Sequence, residues 1–131
     1  MSRTLKMLFL VTDFGFVLYW GATILATFGI VHIPQDWLFR DYTNPNIIAW
    51  NWSFLPLDLI ASATGITAVS MATRNKKWEK LALISLCLTF CAGFMAISFW
   101  VFQMSFDALW WASNLFLAIW PIWFGYKILR K

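Results

Sequence analysis

Residues 49–59 read Ala-Trp-Asn-Trp-Ser-Phe-Leu-Pro-Leu-Asp-Leu and lie near the start of a long apolar run, residues 47–73. The stretch holds two tryptophans, an asparagine, a proline and one carboxylic acid, Asp58. An acid within such a run is costly in hydrocarbon unless it faces protein, water or a ligand. Asp58 is therefore the first candidate for a functional residue, and we interpret the rest of the chain as a frame around it.

Three further apolar runs cover residues 7–31, 81–104 and 109–129. Each of the four runs exceeds the roughly 20 residues that cross a bilayer as a helix. Hydrophobic residues make up 61% of the 131 residues and charged residues only 12%, whereas soluble domains carry about 25% charged residues. The sequence predicts an all-α, integral membrane four-helix bundle that forms a single domain over residues 1–131.

The basic residues are distributed asymmetrically. Nine of the ten lysines and arginines lie before the first run, between the second and third runs, or after the fourth; Arg40 is the exception. Such an excess marks the cytoplasmic side of a membrane protein, so both termini are predicted to be cytoplasmic. This topology accounts for the net charge of +4. We therefore expect membrane lipids as partners, and no nucleic acid.

Polar residues fall on one face of each of the first two predicted helices. On the first predicted helix, Asp13 and Trp20 lie near the same face. On the second predicted helix, Asn51 and Asp58 share a face at a period of 3.6 residues. Both faces are predicted to point inward. Pro56, two residues before Asp58, removes a backbone donor, which predicts a bend one turn above Asp58 that widens the bundle there.

The two acids, Asp13 and Asp58, indicate which kinds of chemistry the predicted site can support. No lysine, arginine or histidine is predicted at the depth of Asp13 or Asp58. Two neighbouring acids in a low dielectric cannot both ionise at low cost, so we expect the pair to share a proton. The remaining charge would attract a cation, as would aromatic faces beside it. Binding of an amphipathic amine, stabilisation of a carbocation and proton transfer are all compatible with this pair.

Other polar and aromatic residues are predicted to complete the site. Asn51 and Asn114 each lie one turn inside the outer face and are expected to approach one another. Trp20, Trp52 and Trp120 are predicted to line the walls. In the outer loop, residues 35–46, we expect a short interfacial helix and then a turn, acting either as a lid or as an aromatic anchor.

Metal and cofactor sites are not predicted. His32 is the single histidine, and it has no cysteine or histidine at a zinc-ligand spacing. Cys87 and Cys91 share one face of the third helix, where we expect packing thiols. Two buried protonated acids could also simply hydrogen-bond helices together, so a structural role for the pair stays open.

The chain as a whole resembles the small uncharacterised four-helix membrane proteins of the YvaD type in bacilli, which implies a bacterial plasma membrane. It is more distantly similar to the EXPERA domain of emopamil-binding protein and the sigma-2 receptor over Ala49-Trp50, Ser53-Phe54-Leu55 and Asp58-Leu59. That resemblance implies an intramembrane acidic pocket for sterols and cationic amphiphiles, with Asp13 as the first-helix acid. Some members of that family isomerise a sterol double bond, but Asp58 has no neighbouring histidine to donate the proton.

The leading hypothesis is a membrane-embedded binding protein whose amphipathic ligand (lipid, terpenoid or sterol-like molecule, or hydrophobic amine) enters from the bilayer between helices. Its predicted contacts are Asp58, Asp13, Asn51, Asn114, Trp20, Trp52 and Trp120. The alternatives are a small proton-coupled multidrug-type transporter, acting as a homodimer with Asp13 as the coupling acid, and a structural or accessory subunit without a ligand. An EXPERA-like isomerase is a further alternative, for which no catalytic residue can be assigned.

Overall fold

Helices make up the core of the computed structural model, which describes residues 1–74 and 77–130. Within these residues there is no strand. The helices are α1 (Arg3–Thr27), α2 (Pro45–Trp52), α3 (Phe54–Met71), α4 (Trp78–Phe102) and α5 (Ala108–Leu129), with a short 3-10 helix at Gln35–Trp37. Only Ser53 separates α2 from α3, so the two form one interrupted rod. The architecture is therefore four-helical, as predicted.

Both ends of α1 are set by local chemistry. The Ser2 hydroxyl accepts a hydrogen bond from the Leu5 amide at 3.2 Å, which caps the first turn. Gly29 adopts a left-handed φ of 70°, and the Ile30 amide donates to the Leu25 carbonyl. This Schellman arrangement ends a helix where only glycine is unstrained. The helix therefore stops at Thr27, four residues before the end of the apolar run.

The second rod is interrupted just before Asp58. The Ser53 hydroxyl donates to the Trp50 carbonyl at 2.6 Å, and α3 begins at the next residue. Pro56 then lies in the first turn of α3, where its missing N–H leaves no intrahelical bond unmade. The interruption thus falls at Ser53, three residues before Pro56, the residue at which the sequence predicts a bend.

Small residues bring the helices together. α3 packs against α1 and α4, and α4 packs against α5. Ala61, Gly65 and Ala68 are all buried along α3. On α4, a Cβ added to Gly93 would lie 2.5 Å from the Asn114 carbonyl oxygen of α5. Such close backbone approaches are typical of helices that associate within membranes.

Three of these helical rods are long and apolar enough to cross a membrane: Arg3–Thr27, Pro45–Met71 and Trp78–Phe102. α5 has 22 residues, but its tryptophans, Asn114 and Pro121 lower its mean hydropathy. Large apolar side chains such as Leu18, Phe94 and Ile119 are exposed on the outside of the bundle. Cys87 and Cys91 are exposed on that surface as well, so they do not pack in the interior as predicted.

Replacing Gly93 with leucine is expected to destabilise the bundle because the larger side chain would collide with the α5 backbone. Overpacking of this kind costs about 1–3 kcal/mol. The measurement is the thermal unfolding midpoint in detergent. Gly125→Leu is the matched control on α5, since a Cβ there meets nothing within 4 Å. Equal midpoints for the two variants would show that Gly93 is not a close contact.

Candidate ligand site

A cavity of about 360 Å³ lies between the helices, with Asp58 in its wall. Its volume falls within the range of about 300–1,000 Å³ that small-molecule pockets occupy. Every long helix contributes to the wall, and most of the surface is apolar. The aromatic side chains that line it include Phe16, Trp20, Phe54, Trp100, Trp110 and Phe116. The arrangement is that of an apolar pocket with a few polar groups.

Asp58 is held in this wall by Trp20. The indole Nε1 of Trp20 donates to Asp58 Oδ2 at 2.9 Å, joining α1 to α3. Both side chains are buried. Asp58 Oδ1 has no hydrogen-bond partner within residues 1–74 and 77–130. One carboxyl oxygen is thus held by the protein, and the other is buried without a hydrogen-bond partner in the described part of the chain.

A second polar contact lies at the outer end of the cavity. The Tyr19 hydroxyl donates to Asn51 Oδ1 at 2.9 Å, and the Tyr19 ring packs edge-on against Trp110 with centroids 6.0 Å apart. Asn114 also lies in the wall. Its amide donates to the Trp110 carbonyl at 2.8 Å rather than reaching Asn51. Each asparagine thus has a partner other than the one predicted, because Tyr19 occupies the space beside Asn51.

The outer loop contributes one side chain to the cavity. Phe39 lies in the wall and packs edge-on against Trp110 at 6.1 Å. The next residue, Arg40, donates from Nη1 to the Ser105 hydroxyl at 3.2 Å, which ties this loop to the turn between α4 and α5. Trp37, by contrast, is 68% exposed. One aromatic of the loop therefore faces inward, as in a lid, and another faces outward, as an anchor would.

Asp13 lies outside the cavity wall. It is 0% exposed, and its carboxyl group packs on α3 at Gly65, where an added Cβ would collide with Asp13 Oδ2 and lie 2.8 Å from the Ser85 hydroxyl. Neither carboxyl oxygen has a hydrogen-bond partner in the described part of the chain. Asp13 meets Gly65 while Trp20 meets Asp58, so the acids are separated by two helical turns, about 10 Å. The predicted direct sharing of a proton is therefore absent.

Two predicted wall residues lie elsewhere. Trp52 packs against Trp20 with centroids 5.6 Å apart but lines a second, outer cavity of about 710 Å³. Trp120 belongs to a buried cluster with Leu5 and Phe9 and makes an edge-on contact with the Phe9 ring. Asp13, Trp52 and Trp120 are thus not brought to the cavity, whereas Asp58, Trp20, Asn51 and Asn114 are.

Sequence reasoning missed several wall residues. Tyr19, Trp100 and Trp110 all line the cavity, and none of them is among the contacts predicted from the sequence. The positions of Trp100 and Trp110 near helix ends match the aromatic belt at a membrane interface, so the sequence alone favours an anchoring role for these two residues. The signal for Tyr19 is its place beside Trp20, at the level of the polar residue Asn51.

The fold and the cavity define a small all-helical protein with an acidic group in a buried aromatic pocket. Residues 5–131 match the Family of unknown function (DUF5360), and the chain belongs to that family.

A relative is the uncharacterized protein YvaD of Bacillus subtilis (strain 168). It is 45% identical over 130 residues, covering 98% of this chain and 94% of the relative. No solved structure matches the chain. The predicted relation to YvaD-type proteins is confirmed, and these findings give no support to the resemblance to the EXPERA domain.

Gly65→Ala is expected to lower stability because the new methyl group would collide with the Asp13 carboxyl group. The loss should be about 1–3 kcal/mol, as for other overpacked sites. Asp13→Ala in the same chain removes the colliding group, so the double variant should recover part of the loss. Thermal unfolding of the single and double variants in detergent measures this coupling. Strictly additive effects would mean that Asp13 and Gly65 are not in contact.

Proposed function

We propose that this protein is a membrane-embedded binding protein for an amphipathic ligand that carries a cationic group. The observation that carries the proposal is the Asp58 carboxyl group in the wall of an aromatic cavity, with one oxygen that has no hydrogen-bond partner within residues 1–74 and 77–130. A buried acidic group without a protein cation beside it is expensive to maintain in a membrane helix. A ligand cation would offset that cost.

The surroundings of Asp58 favour a cation over an anion or a neutral polar group. No lysine, arginine or histidine lines this cavity among the residues that the structure describes. Trp20, Trp100 and Trp110 line the same space, and aromatic rings attract ammonium groups. The carboxyl group and the rings therefore favour the same ligand chemistry.

The rest of the wall suits an apolar body. Phe16, Phe54, Ala92 and Leu117 offer hydrocarbon surface, so a hydrophobic amine, or a terpenoid or sterol-like molecule bearing an amine, fits this proposal. Catalysis is not included, because isomerisation needs a proton donor and the group that donates to Asp58 is an indole N–H. Proton-coupled transport through Asp13 gains no support from the geometry either, since Asp13 lies outside the wall.

The proposal places the protein in a bacterial plasma membrane, surrounded by lipid, with α5 as a fourth span and both termini in the cytoplasm. The distribution of basic residues supports this orientation. Near the end of α5, the Lys127 ammonium group lies 4.6 Å from the Trp123 ring centroid and the Arg130 guanidinium 5.1 Å from that of Tyr126. Paired aromatic and basic side chains are typical of a helix end at a membrane surface.

Asp58→Asn should weaken binding of a dansyl-labelled long-chain alkylamine by roughly tenfold or more, because a charge-assisted contact contributes about 1.5–3 kcal/mol. Fluorescence titration of the protein in detergent or nanodiscs measures the affinity. The substitution should weaken binding of the matched neutral probe, a dansyl-labelled alkyl alcohol, by a smaller factor.

Asp13→Asn is the matched control for that experiment, because Asp13 is also a buried acid but does not line the cavity. The affinity of this variant for the amine should stay close to that of the unaltered protein. Equal affinities for the amine in the Asp58→Asn variant and the unaltered protein would contradict the assignment of Asp58.

The topology predicts opposite reporter activities at the two ends of the bundle. A green fluorescent protein fused after residue 131 should be fluorescent, and alkaline phosphatase at the same point inactive, because the C-terminus is proposed to be cytoplasmic. Alkaline phosphatase inserted after Thr43 in the outer loop should be active. An active phosphatase at the C-terminus would overturn the assignment of α5 as a fourth span or the orientation of the bundle.

A further inference from the structure

We infer that the cavity opens sideways into the bilayer through a window between α1 and α5, and that the cationic amphiphile enters there. This inference rests on the proposed function and adds to it the route that the ligand takes. We define the α1–α5 window as the gap between these two helices bounded by the Phe9–Trp120 and Tyr19–Trp110 contacts.

The backbone packing leaves this side of the bundle the least closed. Close helix contacts join α1 to α3, α3 to α4 and α4 to α5, and the pair α1 and α5 is not among them. Both helices nevertheless line the same cavity, through Val11 and Gly15 on one side and Ser113 and Phe116 on the other. Between the Phe9–Trp120 and Tyr19–Trp110 contacts, the first and last helices are thus separated by the cavity.

Aromatic pairs set the height of the window. At the lower edge the Phe9 and Trp120 rings meet edge-on with centroids 5.6 Å apart. At the upper edge Tyr19 and Trp110 meet edge-on at 6.0 Å. The lower and upper edges are ten residues apart on each of the two helices. This spacing corresponds to about 15 Å at the rise of an α-helix. That height admits an alkyl chain or a fused-ring body.

The residues within the window reach both the cavity and the outside. Val11 is 60% exposed and Phe116 is 42% exposed, although both line the cavity. Gly15 lies between the two edges on α1, and a Cβ there would meet nothing within 4 Å. Because the surrounding outer surface is apolar, a window at this place faces hydrocarbon, not water.

The outer end of the cavity offers a less open path. The outer cavity shares Tyr19, Phe39, Asn51 and Trp110 with the inner one. These four residues form a septum in which the Tyr19–Asn51 hydrogen bond and the Phe39–Trp110 contact are both made. The Arg40–Ser105 hydrogen bond fastens the loop above it. A ligand from the aqueous side would have to break these contacts, whereas the window requires none to be broken.

The test measures binding rates by stopped-flow fluorescence, using the dansyl-labelled alkylamine in phosphatidylcholine vesicles that contain the protein. Gly15→Leu places a side chain in the window and should slow both association and dissociation by roughly tenfold, as a higher barrier slows both directions. Phe116→Ala widens the window and should accelerate both rates. The second variant keeps the test informative if the first fails to fold.

Two matched controls separate the routes. Gly21→Leu adds the same side chain to α1 at a position that is equally open but outside both cavities, and its rates should equal those of the unaltered protein. Ala26→Trp narrows the outer cavity and should leave the rates unchanged.

Three outcomes would overturn the inference. Unchanged rates in Gly15→Leu and Phe116→Ala, with Asp58-dependent binding intact, would remove the window alone. Slowing by Ala26→Trp with no effect of Gly15→Leu would show that the ligand enters from the aqueous side. Absence of Asp58-dependent binding in the unaltered protein would instead remove the proposed function, and the window with it.

Discussion

The hydrogen bond from Trp20 to Asp58 is the contact on which the arrangement of the cavity depends. It crosses from α1 to α3 between two buried side chains, where an unmade hydrogen bond is costly. Two turns away, the Asp13 carboxyl group packs into the space above Gly65 on the same pair of helices. These two contacts together fix the register of α1 on α3, and register decides which residues face the cavity.

The two buried acids consequently have different surroundings despite similar sequence contexts. Asp58 follows a helix break, and the cavity that it lines has side chains from all the long helices in its wall. Asp13 lies in the middle of an uninterrupted helix, against a glycine and a serine that leave no room for a ligand. Asp13 is thus enclosed by helix packing, whereas Asp58 borders a cavity.

Much of the fold follows from patterns in the sequence, and less of the site does. Hydrophobic run length identifies four helical rods, and small residues such as Gly65 identify close contacts, because both effects are local. The partners of Trp120 and Asn114 could not be predicted, since they depend on rotation of α5 about its axis. The inward turn of Phe39 likewise depends on the loop backbone, which includes a left-handed φ of 58° at Asp41. The predicted sharing of a proton failed for a related reason, since helical period gives the face of an acid but not its level relative to another helix.

The pattern of helix packing also bears on how the protein is made. Close contacts join α1 to α3, α3 to α4 and α4 to α5, so each of these helices can pack on an earlier one while the chain is still being synthesised. The seam between the first and last helices closes only when synthesis ends, and it is held by aromatic edges in place of interlocked backbones. The finished bundle thus retains its least closely packed boundary between the first helix to be made and the last.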